Sequence, residues 1–170
     1  MLATLIGVAI ASCVSVGQVV TDRAEKALEK PDKKPLPSAQ KNLDPLDARS
    51  KQFLTRTIDR ARNRLSKEEA LEEFSQIVEA YTDLLPKLAP PQVLVVLGTL
   101  SDLSERIESL LDEPPPDWPE ETWVEFRRAT GCESKGRGLL DLGVRYAKER
   151  GLSSAPLLAK IRRLEREEEE

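Results

Sequence analysis

Polar and apolar positions divide this chain into an uncharged opening and a strongly charged, helically periodic remainder. Met1 to Val20 carry no charged side chain and are mostly Leu, Ile, Val, Ala and Gly. At ~1.5 Å per residue a helix of that length is about 30 Å long, the thickness of a bilayer's hydrocarbon core. The pattern predicts a membrane-anchor helix over 1–20. A helix extension and a linker follow over 21–45. Within it PDKKPLPSAQKNLDP, residues 31–45, holds four prolines and no apolar period, which predicts extended chain.

Helical periodicity returns at 46. Leu54, Ile58, Ala61 and Leu65 step by four, three and four, so they share one helix face. Phe53 adjoins that face, and Arg49, Lys51, Arg56, Arg60, Arg62 and Arg64 take the rest. Ser66-Lys67-Glu68-Glu69 fits a capping box, with the Ser hydroxyl accepting from the Glu69 amide. The next helix shows the cleanest stripe: Leu71, Phe74, Ile77, Val78, Tyr81, Leu84, Leu85 and Leu88. Pro86 should end or kink it, because proline removes a helix donor and its ring clashes with the preceding turn. Pro90-Pro91 opens a third helix with Val93, Val96, Leu97, Leu100, Leu103, Ile107, Leu110 and Leu111 at threes and fours. Val93 to Leu97 is apolar on every side, which predicts the most buried end. Short links between the three predict a three-helix bundle over 46–112. Its acidic outer face includes Glu68, Glu72, Glu73, Glu79 and Asp83.

Residues 113–170 read as a smaller helical region with a basic face and an acidic tail. Pro114-Pro115-Pro116-Asp117 breaks the chain, and a short helix is expected from Trp118-Pro119 to Gly131. CESKGRG, residues 132–138, reads as a loop. Leu139, Leu140, Gly143, Val144 and Ala147 mark a helix ending at Gly151, and a last helix from about Ser154 carries Leu157, Leu158, Ile161 and Leu164 on one side.

Charge is segregated along the chain. Residues 21–65 carry a net of +5, residues 66–126 a net of −12, and residues 127–166 a net of +7, before Glu167 to Glu170 close the sequence. Opposite signs on successive segments predict that they pack on one another or face different partners. Pairing of the basic 46–65 helix with the acidic helix after it is the simpler use of that charge.

Histidine is absent, which removes the usual neutral-pH general base and the commonest metal ligand. Cys13 and Cys132 are too far apart in sequence for a zinc pattern. Gly136-Arg137-Gly138 before a helix could meet a phosphate, but it lacks the strand and the full glycine fingerprint of a nucleotide site. The carboxylates lie on amphipathic helix faces without apolar surroundings to tune them. No catalytic residue, cofactor site or metal site is expected, and the chain is not read as an enzyme.

The opening segment supports three readings. As a single-pass membrane helix, it places Ala3, Gly7, Ala11 and Ser15 on one small-residue stripe, which permits close helix packing in lipid and a homo-oligomer through that helix. Arg23, Lys26, Lys30, Lys33 and Lys34 follow it, so the positive-inside rule puts the soluble part in the cytoplasm. Ile10-Ala11-Ser12-Cys13 resembles a bacterial lipobox, which would imply an exported lipoprotein scaffold. Against that, no basic residue precedes the apolar run, and the run continues past Cys13. The third reading is a buried helix of a soluble core.

The expected role is an accessory or structural subunit that binds protein partners in a membrane-associated assembly. Trp118, Trp123, Arg127, Arg128, Lys160, Arg162 and Arg163 are the candidate partner-binding residues, since Trp and Arg dominate interface hot spots. The tryptophans could equally plug a core, and burial statistics favour that use. The alternative is a membrane-tethered nucleic-acid-binding protein. Ala147, Gly151 and Leu157 fall at spacings reminiscent of a helix-turn-helix among many basic residues. The glutamate tail argues against it, because those charges would repel nucleic-acid phosphates.

Overall fold

The computed structural model describes residues 16–29, 35–59, 65–111, 118–122, 124–125 and 137–169. The elements are α1 (Val16–Glu29), α2 (Pro37–Ile58), α3 (Lys67–Leu84), a 3-10 turn (Leu85–Lys87), α4 (Pro90–Leu111), α5 (Gly138–Glu149) and α6 (Ala155–Glu169). Among the described residues there is no strand, and the all-α class stands. Residues 120–122 and 124–125 are also helical.

Local sequence chemistry sets most of the boundaries. The Ser66 hydroxyl accepts from the Glu69 amide at 3.1 Å, capping α3 as the motif requires. Pro86 ends regular α-helix at Leu84 and leaves one tighter turn. The first amides of α4 after the paired prolines, those of Gln92 and Val93, both donate to the Ala89 carbonyl. At the end of α5, Gly151 takes φ +66°. The Leu152 amide reaches back to the Ala147 carbonyl at 2.9 Å, and the Gly151 amide to Lys148 at 3.3 Å. This pair of bonds is the Schellman arrangement, and it needs a residue free of the Cβ penalty at that turn.

The helices surround α4, which packs against α1, α2, α3 and α5. α2 and α3 run antiparallel. The Leu36 amide donates to the Lys87 carbonyl at one end, and Arg56 meets Glu73 at the other. One apolar cluster takes in Val20 and Ala24 of α1, Phe53 of α2, Phe74 and Ile77 of α3, Leu97 and Leu100 of α4, and Leu139 and Tyr146 of α5.

Several expectations need correction. α5, from the 113–170 region, packs its Leu139, Leu142 and Tyr146 into the same core as the helices of 46–112. The 31–45 segment is not extended throughout. α2 begins at Pro37, whose fixed φ suits a first helical turn, and Pro45 lies inside the helix. Burial of Ala39, Leu43 and Leu46 offsets the donor lost at Pro45.

The buried face of α2 is Ala39, Leu43, Leu46, Ser50, Phe53 and Thr57, not the Leu54–Ile58 face, and Ile58 is 69 % exposed. Two hydroxyl residues hid this stripe. Ser50 donates to the Leu46 carbonyl and Thr57 to Leu54, so they sit in the core with their polar groups satisfied by the preceding turn. On α4, Val95 is 61 % exposed, so the Val93–Leu97 end is not buried on every side. On α6, Leu157 and Ile161 are buried while Leu158 faces out.

The opening segment is described from Val16 onward. No described helix is long and apolar enough to cross a membrane, and residues 1–15 lie outside the described set. Val16 and Val20, counted in the anchor by hydropathy, are buried in the protein core as part of α1. The Gly17 amide donates to the Glu108 carboxylate of α4 at 2.8 Å. An anion at the start of a helix satisfies a first-turn amide and complements the helix dipole.

Candidate interaction surfaces

The seam between α2 and α3 shows where the basic charge of α2 goes. Arg49 and Arg56 both reach Glu73, at 3.7 Å and 2.9 Å, and Arg49 also donates to Gln76 at 2.7 Å. These pairs sit at a partly solvated rim, where each adds at most about 1 kcal/mol. Deeper in the seam, the fully buried Tyr81 phenol donates to Asp47 at 2.6 Å and lies 2.9 Å from the Ser50 hydroxyl. Burial raises the Tyr81 pKa above its ordinary value; the Asp47 bond adds to the rise and the Ser50 bond opposes it. Tyr81 therefore stays protonated and joins the two helices through a satisfied polar group. The acidic outer face of α3 contributes Glu68, Glu69 and Glu72 to an open groove beside Arg49.

The sequence candidates of the last helix are brought together on α4. α6 runs parallel to α4. Lys160 meets Asp102 at 2.7 Å and the Gly98 carbonyl at 3.2 Å, and Arg163 meets Glu105 at 3.3 Å and Glu167 at 3.7 Å. Arg162 lies on the exposed side, and its carbonyl accepts from Arg166. The acceptors Asp102 and Glu105 were not singled out in the sequence, yet a signal was present. They are three residues apart, as are Lys160 and Arg163, the register that two parallel helices require. Leu54, Arg106 and Ser109 join Asp102, Glu105, Arg163 and Glu167 around a polar groove of about 400 Å³.

Trp118 is 41 % exposed, so it does not plug the core. Trp123, Arg127 and Arg128 lie outside the described residues, as do Ala3, Gly7, Ala11, Ser15 and both cysteines. The start of α5, where the glycines could meet a phosphate, faces α1 closely: a Cβ at Gly138 would come within 2.9 Å of the Thr21 hydroxyl oxygen. Arg137 is committed to Asp141 at 3.6 Å and to Glu165 at 3.0 Å.

A second open cleft, about 630 Å³, lies between α1 and the end of α3. Val19, Ala27 and Pro86 form apolar lining, and Asp22, Arg23, Lys26 and Asp83 supply charges of both signs. Beside the end of α5 the Arg150 guanidinium stacks on Tyr146, 3.7 Å from the ring centre. Burial raises the Tyr146 pKa, and the arginine charge opposes the rise. Among the described residues no group of acidic side chains is arranged to hold a metal ion. Comparison with protein families, curated proteins and solved structures finds no match to this chain.

Proposed function

We propose that this chain is a membrane-anchored accessory or structural subunit that binds protein partners, a non-enzymatic member of a membrane-associated assembly. One observation carries the reading: the uncharged opening segment leads straight into α1, whose Val16, Val20 and Ala24 are built into the core. A single-pass anchor attached in this way would hold the helical body against the bilayer surface rather than on a long flexible tether. Arg23 and Lys26 follow the segment on α1, and the positive-inside rule then favours a cytoplasmic body. Docking of Lys160 and Arg163 on acidic side chains supports protein over nucleic acid as the partner class, because two of the cations a nucleic-acid face would use are already paired.

The test is fractionation of the full chain beside one that begins at Val16. The full chain should sediment with membranes and resist carbonate extraction, and the shortened chain should stay in solution and unfold cooperatively. Recovery of the intact protein in the soluble fraction without detergent would overturn the proposal.

A further inference from the structure

α6 is attached differently from every other helix described. Leu157 and Ile161 form a small cluster with Leu140, edged by Leu94, Val144 and Leu164, separate from the main core. Beyond that, its described polar attachments are Lys160 to Asp102 and to the Gly98 carbonyl, Arg163 to Glu105, and Glu165 to Arg137. These side chains are between about one third and one half exposed, so salt screens them. The seat beneath the helix is shaped by absence of bulk. A Cβ at Gly143 would come within 2.6 Å of a Leu157 methyl. The connection to α5 is only Arg150–Ser154, turning on Gly151 at φ +66°.

We propose that the groove between α4 and α5 is a receiving site for a C-terminal helix, and that a second copy of this chain supplies it by exchange of α6. The partner is fixed by complementarity within the sequence itself. The cations at 160 and 163 match the anions at 102 and 105 in register, and Glu165 matches Arg137. A reciprocal exchange between two chains remakes each of these contacts under two-fold symmetry and needs no new surface. The hinge is the Gly151 turn, where one change from a left-handed to an extended backbone redirects α6 away from its own seat. A short connection keeps the effective concentration of the chain's own helix high, about millimolar. Exchange therefore needs α6 released from its own groove, as high salt would do, before the same pairs re-form between chains.

Charge reversal tests this in full-length chains held in one mild detergent. The first variant carries Asp102→Lys and Glu105→Lys, and the second carries Lys160→Glu and Arg163→Glu. Each alone should be monomeric, with hydrogen exchange at residues 157–161 faster than in the unaltered chain. An equimolar mixture should double in protein mass by light scattering, because each helix then finds a complementary groove only on the other chain. All four changes in one chain should restore a monomer with slow exchange at 157–161. A mixture that stays monomeric, while the four-fold variant docks its own helix, overturns the proposal. Unaltered chains of two isotopic masses, mixed in high salt and returned to low salt, give an independent reading. Mixed dimers support exchange, and their absence overturns it even if the reversal variants fail to fold.

Discussion

Val20→Ala separates a core helix from a lipid-facing one. Val20 has no solvent exposure and belongs to the main cluster with residues of α3, α4 and α5. The substitution removes two methyl groups, about 1.6 kcal/mol at roughly 0.8 kcal/mol each. The space left behind adds to this, because a packed interior relaxes only in part, so the total is about 2–3 kcal/mol. For a chain of this size the melting temperature should fall by about 4–12 °C. The measurement is urea unfolding followed by far-ultraviolet circular dichroism, on the full chain in mild detergent and on the chain beginning at Val16. Glu29→Ala at the exposed end of α1 is the control, expected within about 0.5 kcal/mol of the unaltered protein. If Val20→Ala matches that control in both chains, α1 is not part of the folded body.

Leu100→Ala, at a fully buried position on α4, should cost about 2–5 kcal/mol in the same unfolding assay, whereas Glu72→Ala on the outer face should change stability by less than about 0.5 kcal/mol. Ser66→Ala removes the acceptor for the Glu69 amide and should cost about 1 kcal/mol, with fraying confined to the first turn of α3 in hydrogen exchange. Alkaline stability should report Tyr81. The unfolded chain loses this proton near pH 10 and the folded chain at higher pH, so stability is intact below about pH 10 and falls by up to about 1.4 kcal/mol per pH unit above it. Tyr81→Phe should remove one proton's share of that slope, and an unchanged slope would mean the phenol is not held in the seam.

What the sequence disclosed depended on whether a helix buries only apolar atoms. α3 and α4 were legible almost residue by residue, from Phe74 to Leu88 and from Val96 to Leu110, and so were the Ser66 cap, the Pro86 stop and the Gly151 turn. In each case a local rule and the tertiary packing agree. α2 was misread because Ser50 and Thr57 occupy its buried face, where hydrogen bonds to the preceding turn make hydroxyls acceptable in a core. Its start was missed because prolines at 37 and 45 look like linker until the burial of Leu43 and Leu46 is known. The mutual attraction of acidic and basic segments was legible as net charge, and the pairs at 102–160 and 105–163 were encoded in their common spacing. Hydropathy alone could not mark where the opening segment meets the body, since a valine facing lipid and a valine facing a protein core read alike.

That boundary constrains any membrane attachment. One helix cannot lie in lipid and in the core at once, and Val16, Val20 and Ala24 are committed to the core. The Glu108 carboxylate sits on the Gly17 amide, and a carboxylate at mid-bilayer costs about 2.5–3.5 kcal/mol on insertion scales. In an anchored chain the hydrocarbon must therefore stop at or before Val16. The spacing of Ala3, Gly7, Ala11 and Ser15 would then suit packing against neighbouring helices in lipid, because small side chains let helix backbones approach. An anchor that ends where α1 enters the core would bring the body close to the bilayer. Partner choice would then rest on association within the membrane as well as on the charged faces outside it.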